Sequence, residues 1–227
     1  METIRISRSA LSNLVWNQIL AASNHVDRQM FFDTISGLEL NRVKAAHDTG
    51  SINNSNAWCL YSLTRYFKPT IIAEVGTFIG RSTISMDEAL QDVYVRDAVI
   101  HTCDAASDIS LDQYASCNIV QYPKKMSTEM LQAITSKVDM FFLDGRIVPE
   151  DVDLILGLSH NSSVIVLDDF EGTEKGVANF MALARLTQMG YTVFYPPDSN
   201  TLSKYGLFEY SNLAMIVPYN IIRFTNQ

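Results

Sequence analysis

The stretch Thr70-Ile71-Ile72-Ala73-Glu74-Val75-Gly76-Thr77-Phe78-Ile79-Gly80-Arg81-Ser82-Thr83 decides how the rest of the chain is read. A short apolar run bounded by glycine is the pattern of a strand covered on both faces. This one ends in an acid, passes through a turn with Gly76 and Gly80, and leads into a helix carrying Ile84, Met86 and Leu90. Ser82 or Thr83 is expected to cap that helix. Such a unit presents backbone N–H groups and a helix N-terminus to a ligand.

The spacing excludes two ligand classes. A dinucleotide fingerprint, G-x-G-x-x-G, needs glycine where this chain has Phe78 and Arg81. A phosphate-gripping P-loop needs lysine after its second glycine, and none follows Gly80. What remains is E-x-G-x-x-x-G, with a carboxylate where a pyrophosphate would be repelled. That suits a ligand with a positive group and a bare carbohydrate. The pattern resembles motif I of the class I S-adenosylmethionine-dependent methyltransferases.

Working outward, 227 residues suffice for one well-buried domain with a small appendage. The net charge of −8 argues against a nucleic-acid surface, which needs clustered Lys and Arg. Cys59, Cys103 and Cys117 share no metal spacing and leave one unpaired, which fits a reducing, cytoplasmic setting. The N-terminal apolar run is interrupted by Asn13, Asn17 and Gln18, so neither a signal peptide nor a membrane span is expected.

Residues 8–24 and 28–47 read as helices, the second weakened at Ser36-Gly37. A third helix, capped by Asn53, Asn54 or Ser55, carries Leu60, Leu63 and Phe67 and stops at Pro69. Trp58, Tyr61, Tyr66 and Phe67 read as packing aromatics. After the glycine turn an apolar run closed by an acid recurs three times. Residues 98–103 end in Asp104, 140–143 in Asp144, and 164–167 in Asp168-Asp169. A weaker strand is expected at 119–122. Helical or loop segments between them predict a βαβ series and a mostly parallel sheet. Ligands of such sheets bind at the carboxyl ends of the strands, so all four acidic ends converge on one site. A helix over 174–189 ending at Gly190, a strand at 191–195, a loop at 196–200, and one or two strands from 206–210 and 213–217 are expected to follow.

Asp104 lies 24 residues after Gly80, close to the offset at which an acid meets ribose hydroxyls in nucleotide-binding units. The plain structural alternative is a helix N-cap. Asp144, Asp168 and Asp169 come from neighbouring strand ends. Three uncompensated carboxylates there would raise one another's pKa, a cost a hard divalent cation removes. Oxygen-only ligation suits Mg²⁺ best, with Mn²⁺ or Ca²⁺ as further options.

The stretch F-F-L-D-G-R-I-V-P-E-D-V-D, followed by S-V-I-V-L-D-D-F-E-G-T-E-K-G-V, is similar to macrocin-type and related small-molecule O-methyltransferases. Asp144-Gly145, Glu150, Asp153, Asp168-Asp169 and Gly176-Val177 match that pattern, and Phe170 stands for its tyrosine. The resemblance implies an α/β, Rossmann-like methyltransferase fold. It has a mostly parallel seven-stranded sheet with an antiparallel edge strand, helices on both faces, and an N-terminal helical cap. The cap spans residues 1–50 and the cofactor domain 51–227, the resemblance itself covering roughly 51–217.

The resemblance further implies methyl transfer from S-adenosylmethionine to a hydroxyl of a sugar, polyol or similar small molecule. Glu74, Gly76, Thr77, Gly80, Ser82, Asp104 and Ser127 would hold the cofactor. Asp144, Asp168 and Asp169 would hold the metal. A small-molecule acceptor is the expected partner, with no nucleic acid and no membrane, and a homodimer stays open. Relatives carry an acid or His shortly after the Asp-Gly pair, where this chain has Arg146 and Ile147. Deprotonation would then fall to Asp144, to the metal alone or to a residue elsewhere, and Arg146 is a candidate to pair the carboxylates or clamp an anionic acceptor. His47 and Lys175 are outside candidates for the base, whereas His101 and His160 are expected at the far end of the sheet. Two alternatives stay open: a metal-independent N- or carboxyl-methyltransferase, and a non-catalytic cofactor-binding subunit.

Overall fold

The computed structural model of the protein describes residues 7–45 and 50–221; His47 lies outside them. Three helices come first: α1 (Arg8–Ala21), α2 (Arg28–Gly37) and α3 (Asn54–Phe67). The Ser36-Gly37 weak point is where α2 gives way to a 3-10 turn over Leu38–Lys44. Asn53 caps α3, its side chain accepting from the Asn56 N–H at 2.8 Å.

The sheet then builds as β1 (Ile71–Val75), α4 (Arg81–Asp92), β2 (Val99–Asp104), β3 (Asn118–Pro123), α5 (Ser127–Ala133), β4 (Met140–Leu143), α6 (Pro149–Leu158) and β5 (Val164–Leu167). It closes with α7 (Lys175–Ala182), α8 (Arg185–Gln188), β6 (Tyr191–Phe194), α9 (Ser199–Lys204) and β7 (Ala214–Pro218). The seven strands lie in the order β3-β2-β1-β4-β5-β7-β6. β1 to β5 are parallel, and at the far side β7 runs antiparallel to both β5 and β6.

The period of two sorts each strand between two cores. Ile72, Met140, Phe142, Val164, Val166 and Met215 pack with α1, α2, α3 and α4. Ala73, Phe141, Leu143, Ile165, Leu167 and Ile216 pack on the other face with α5, α6 and α8. The N-terminal helices share the first core: Trp16 and Ile35 are fully buried in it, and Trp58 stacks on Tyr61 with ring centroids 5.0 Å apart. Among the described residues no helix is long and apolar enough to cross a membrane.

Three local expectations are corrected. Gly80, in a left-handed conformation, is the N-cap of α4; Ser82 and Thr83 lie inside the first turn with their hydroxyls directed at Glu74. The helix expected over 174–189 breaks into α7 and α8 around Leu183-Ala184, where the Leu183 backbone leaves the helical range and its side chain is buried in the core shared with α5, α6 and α8. Residues 199–204 form α9, overlapping the expected loop, and of the one or two strands expected beyond it one forms, β7. Asp198 caps that helix by accepting the Thr201 N–H at 2.7 Å, a local bond that competes with any strand pairing. Tyr205 packs on α1, donating to the Asn17 carbonyl at 2.8 Å.

Candidate functional site

A cleft of about 440 Å³ opens at the carboxyl ends of the parallel strands, between them and the N-terminus of α3. Gly76, Asp104, Asp144, Asp168 and Asp169 all line it. The convergence follows from β1, β2, β4 and β5 being parallel neighbours, each ending in the same plane.

The floor is a close approach of two turns. Gly76 sits at φ +106°, and a side-chain carbon there would lie 3.0 Å from the Gly145 nitrogen. The N–H groups of Asp144 and Gly145 both donate to the Val75 carbonyl, at 2.9 and 2.6 Å. Phe78, at φ +45°, adopts a conformation that costs a bulky residue about 1–3 kcal/mol. The Asp104 carboxylate offsets that cost by accepting the Phe78 N–H at 2.8 Å. The other Asp104 oxygen accepts the N–H groups of Ala106 and Ser107, at 2.8 and 2.7 Å. Asp104 is therefore both a turn anchor and a wall of the cleft.

The N-terminal segment closes over this turn. Asn41 donates to the Ile79 carbonyl at 3.4 Å, and the Arg42 guanidinium sits 5.3 Å from the centre of the Phe78 ring. Arg81 pairs with Glu39 at 3.2 Å and donates to the Asn54 side chain at 2.6 Å.

Other predicted cofactor residues lie behind this surface. Glu74 shares a face with Ile72, so it points towards α4; it is fully buried and is not part of the cleft lining. Ser82 and Thr83 donate to its two oxygens. The Thr77 hydroxyl is engaged by Thr102 at 2.5 Å. Ser127 donates to Asp151 at 2.5 Å, and its hydroxyl is committed there. Burial pushes the Glu74 carboxyl up to about 7, against the pull of the hydroxyls around it.

A raised folded value means that Glu74 costs nothing below its ordinary value of 4.5, where it is neutral in both states. The cost grows between pH 4.5 and about 7 and is constant above that, at about 3 kcal/mol. Glu74→Gln is therefore expected to stabilise the fold above pH 7 by up to about 3 kcal/mol and to change little at pH 4. Urea unfolding at the two pH values reads this directly; a variant less stable than the parent at pH 8 would contradict it.

The second half of the cleft is a charge cluster. Oxygens of Asp144, Asp168 and Asp169 lie within 4.8 Å of one another. Asn56, one turn into α3, donates to Asp168 at 2.8 Å and to Asn212 at 2.5 Å; Asn212 donates to Asp169 at 2.9 Å. The ammonium of Lys175 bridges Asp144 at 2.6 Å and Asp169 at 2.9 Å. Burial, then the charges of Asp144 and Asp169, hold the Asp168 carboxyl well above the usual carboxylate range. Burial raises Asp144 as well, opposed by Lys175. For Lys175 burial works against the charge, but Asp144 and Asp169 outweigh it and push the amine upward.

The cation among the carboxylates is thus Lys175, not Arg146. Arg146 is exposed, makes no ion pair among the described residues, and does not line the cleft. His160 lies before β5, where its ring meets Asp139 at 2.9 Å, away from the cleft. His101 lies within β2, its ring 3.2 Å from the Tyr122 hydroxyl.

Sequence reasoning missed Asn56, Phe78, Tyr210 and Asn212 as cleft residues. The Asn53 cap marked where α3 begins, and hence which end of it faces outward; nothing local marks Tyr210 or Asn212.

As a donor set, three carboxylates with no nitrogen or sulfur suit a hard cation. Their oxygens lie within 4.8 Å of one another, a spread that ligands of one hard divalent ion could take, although Lys175 now occupies the space between two of them.

No family model matches the chain, and no curated protein matches it. Solved structures do. The O-methyltransferase from Bacillus cereus in complex with S-adenosylhomocysteine superposes with a TM-score of 0.60 at 18% identity, covering 82% of this chain and 90% of the other. The O-methyltransferase TomG from Streptomyces achromogenes, involved in tomaymycin synthesis and solved with S-adenosylmethionine, gives 0.58 at 19%, covering 82% and 89%. The Podospora anserina methyltransferase PaMTH1, with S-adenosylhomocysteine bound, gives 0.57 at 16%, covering 97% and 100%. Strand order, the glycine turn after β1 and these superpositions agree: the chain has the Rossmann-like fold of the class I S-adenosylmethionine-dependent methyltransferases.

Proposed function

We propose that this protein transfers the methyl group of S-adenosylmethionine to a hydroxyl of a small molecule such as a sugar or other polyol, assisted by a divalent cation, Mg²⁺ first. One observation carries the reading. The glycine turn, the acid after β2 and the three carboxylates after β4 and β5 line a single cleft in a methyltransferase fold. The bound S-adenosylmethionine and S-adenosylhomocysteine of the structural neighbours support the choice of cofactor.

S-adenosylmethionine supplies an electrophilic methyl on a sulfonium. A divalent ion supplies Lewis acidity that eases loss of a hydroxyl proton. In this reading Asp104 accepts a ribose hydroxyl, and Gly76 lets the backbone approach the amino acid end. Phe78 offers an apolar face beside the sugar. Asp144, Asp168 and Asp169 would hold the cation. Asp144 also takes the proton of the acceptor. Glu74 and Ser127 serve behind the site, the first by orienting the start of α4 and the second by fixing α5 to Asp151. The described residues 7–45 would act as a cap whose Asn41 and Arg42 cover the glycine turn.

The test is methyl transfer from labelled S-adenosylmethionine to a panel of polyols, sugars and catechols, with Mg²⁺ and with EDTA. The expected result is transfer to a hydroxyl that EDTA suppresses and that Asp168→Ala reduces by at least the roughly 10–100-fold that loss of an outer-shell partner of a metal site costs. Absence of both S-adenosylhomocysteine binding and transfer would end the reading. The Lys175 ammonium among the carboxylates favours one second reading, transfer without metal, and activity that survives EDTA would select it.

A further inference from the structure

Lys175 is the first residue of α7, and no acidic side chain lies in that helix's first turn. A cation there stands at the wrong pole of the helix dipole, so the helix does not draw the ammonium to its position. The carboxylates do. The backbone leaves little freedom at this point, because Gly176 is packed directly against the carbonyl of Asp168. The side chain itself is freer. It lines the cleft and is 27% exposed, so part of it already meets solvent. Two of the three carboxylates accept from it, while Asp168 accepts from Asn56.

We propose that Lys175 is an intramolecular placeholder for the divalent cation, its ammonium filling the carboxylate site when no metal is bound and swinging out when one enters. This deepens the metal part of the function proposed above and rests on it. A tethered amine competes at a high effective concentration, so it lowers the affinity for metal by the factor with which it fills the site. Lys175 also offsets part of the repulsion that three bare carboxylates would feel in the metal-free protein. A divalent ion wins by carrying twice the charge and by contacting all three carboxylates at once.

The experiment is Mn²⁺ titration of the full chain, read by the electron paramagnetic resonance signal of free Mn²⁺, on wild type, Lys175→Met and Lys175→Arg. Lys175→Met is expected to bind Mn²⁺ at least about tenfold tighter than wild type, and Lys175→Arg, which keeps a tethered cation, no tighter. Adding Asp168→Asn to Lys175→Met is expected to lose the gain. Thermal unfolding gives a second readout. Lys175→Met should melt below wild type in EDTA and recover more than wild type does on adding Mn²⁺. Equal or weaker Mn²⁺ binding by Lys175→Met, or a melting temperature that Mn²⁺ leaves unchanged, overturns the proposal. S-adenosylhomocysteine titration of the same samples separates the two readings. Its failure removes methyl transfer, whereas the Mn²⁺ result alone decides the role of Lys175.

Discussion

Asp104→Ala is expected to weaken S-adenosylhomocysteine binding by about 100-fold or more, as a charge-assisted hydrogen bond at a partly buried wall is lost. The geometry makes the expectation sharper than the usual acid-and-diol picture. A carboxylate offers about four acceptor sites. Asp104 has given three of them to the N–H groups of Phe78, Ala106 and Ser107. About one remains, enough for one ribose hydroxyl. Calorimetry with 2′-deoxy and 3′-deoxy analogues should therefore show one analogue weakened strongly and the other little. Equal losses would mean that Asp104 gives up a backbone partner when the ligand binds. Asp104→Asn, which keeps one acceptor oxygen, should fall between alanine and wild type. If Asp104→Ala binds as wild type does, the carboxylate is a turn anchor only.

Gly176→Ala should have the largest effect on stability. The added carbon would lie 2.0 Å from the Asp168 carbonyl oxygen and 2.8 Å from the Asp169 carbonyl. Both neighbours are backbone at the end of a central strand, so neither yields cheaply. Overpacking of this kind costs about 3 kcal/mol or more, or shifts α7 bodily. Either outcome moves Lys175 away from Asp144 and Asp169. Gly157→Ala in α6 is the matching control, because nothing lies within 4 Å of the carbon it adds. That change should stabilise by about 0.5–1 kcal/mol through helix propensity. Urea unfolding of the two variants should thus move in opposite directions, and a Gly176→Ala protein as stable as wild type would refute the close approach.

The strands and their acidic ends were legible because continuous apolar runs and terminal carboxylates are local features. Ile72, Ala73, Glu74 and Val75 carry their own pattern, and Asp104, Asp144 and Asp168 follow apolar runs of the same kind. Less was legible where a side chain answers to a partner elsewhere in the chain. Ser82 looked like a cap because serine is a good one, yet the buried Glu74 eight residues earlier claims its hydroxyl. Ser127 stood among the expected cofactor residues, yet Asp151 of α6 takes its hydroxyl. Residues 206–210 looked like a strand from their apolar content. In the fold they form the loop that brings Tyr210 and Asn212 to the cleft.

The sequence by itself determined the parallel sheet, the glycine turn and the gathering of acids at one end. Each of these follows from spacing along a single segment and from the rule that parallel neighbours end together. Only the tertiary structure decided what surrounds those acids. Three amides had to fold back onto Asp104, Asn56 and Asn212 had to arrive from α3 and the approach to β7, and Gly176 had to seat α7 against β5. The cation beside three carboxylates is Lys175 and not Arg146 because of distances across separate elements, which no spacing along the chain encodes.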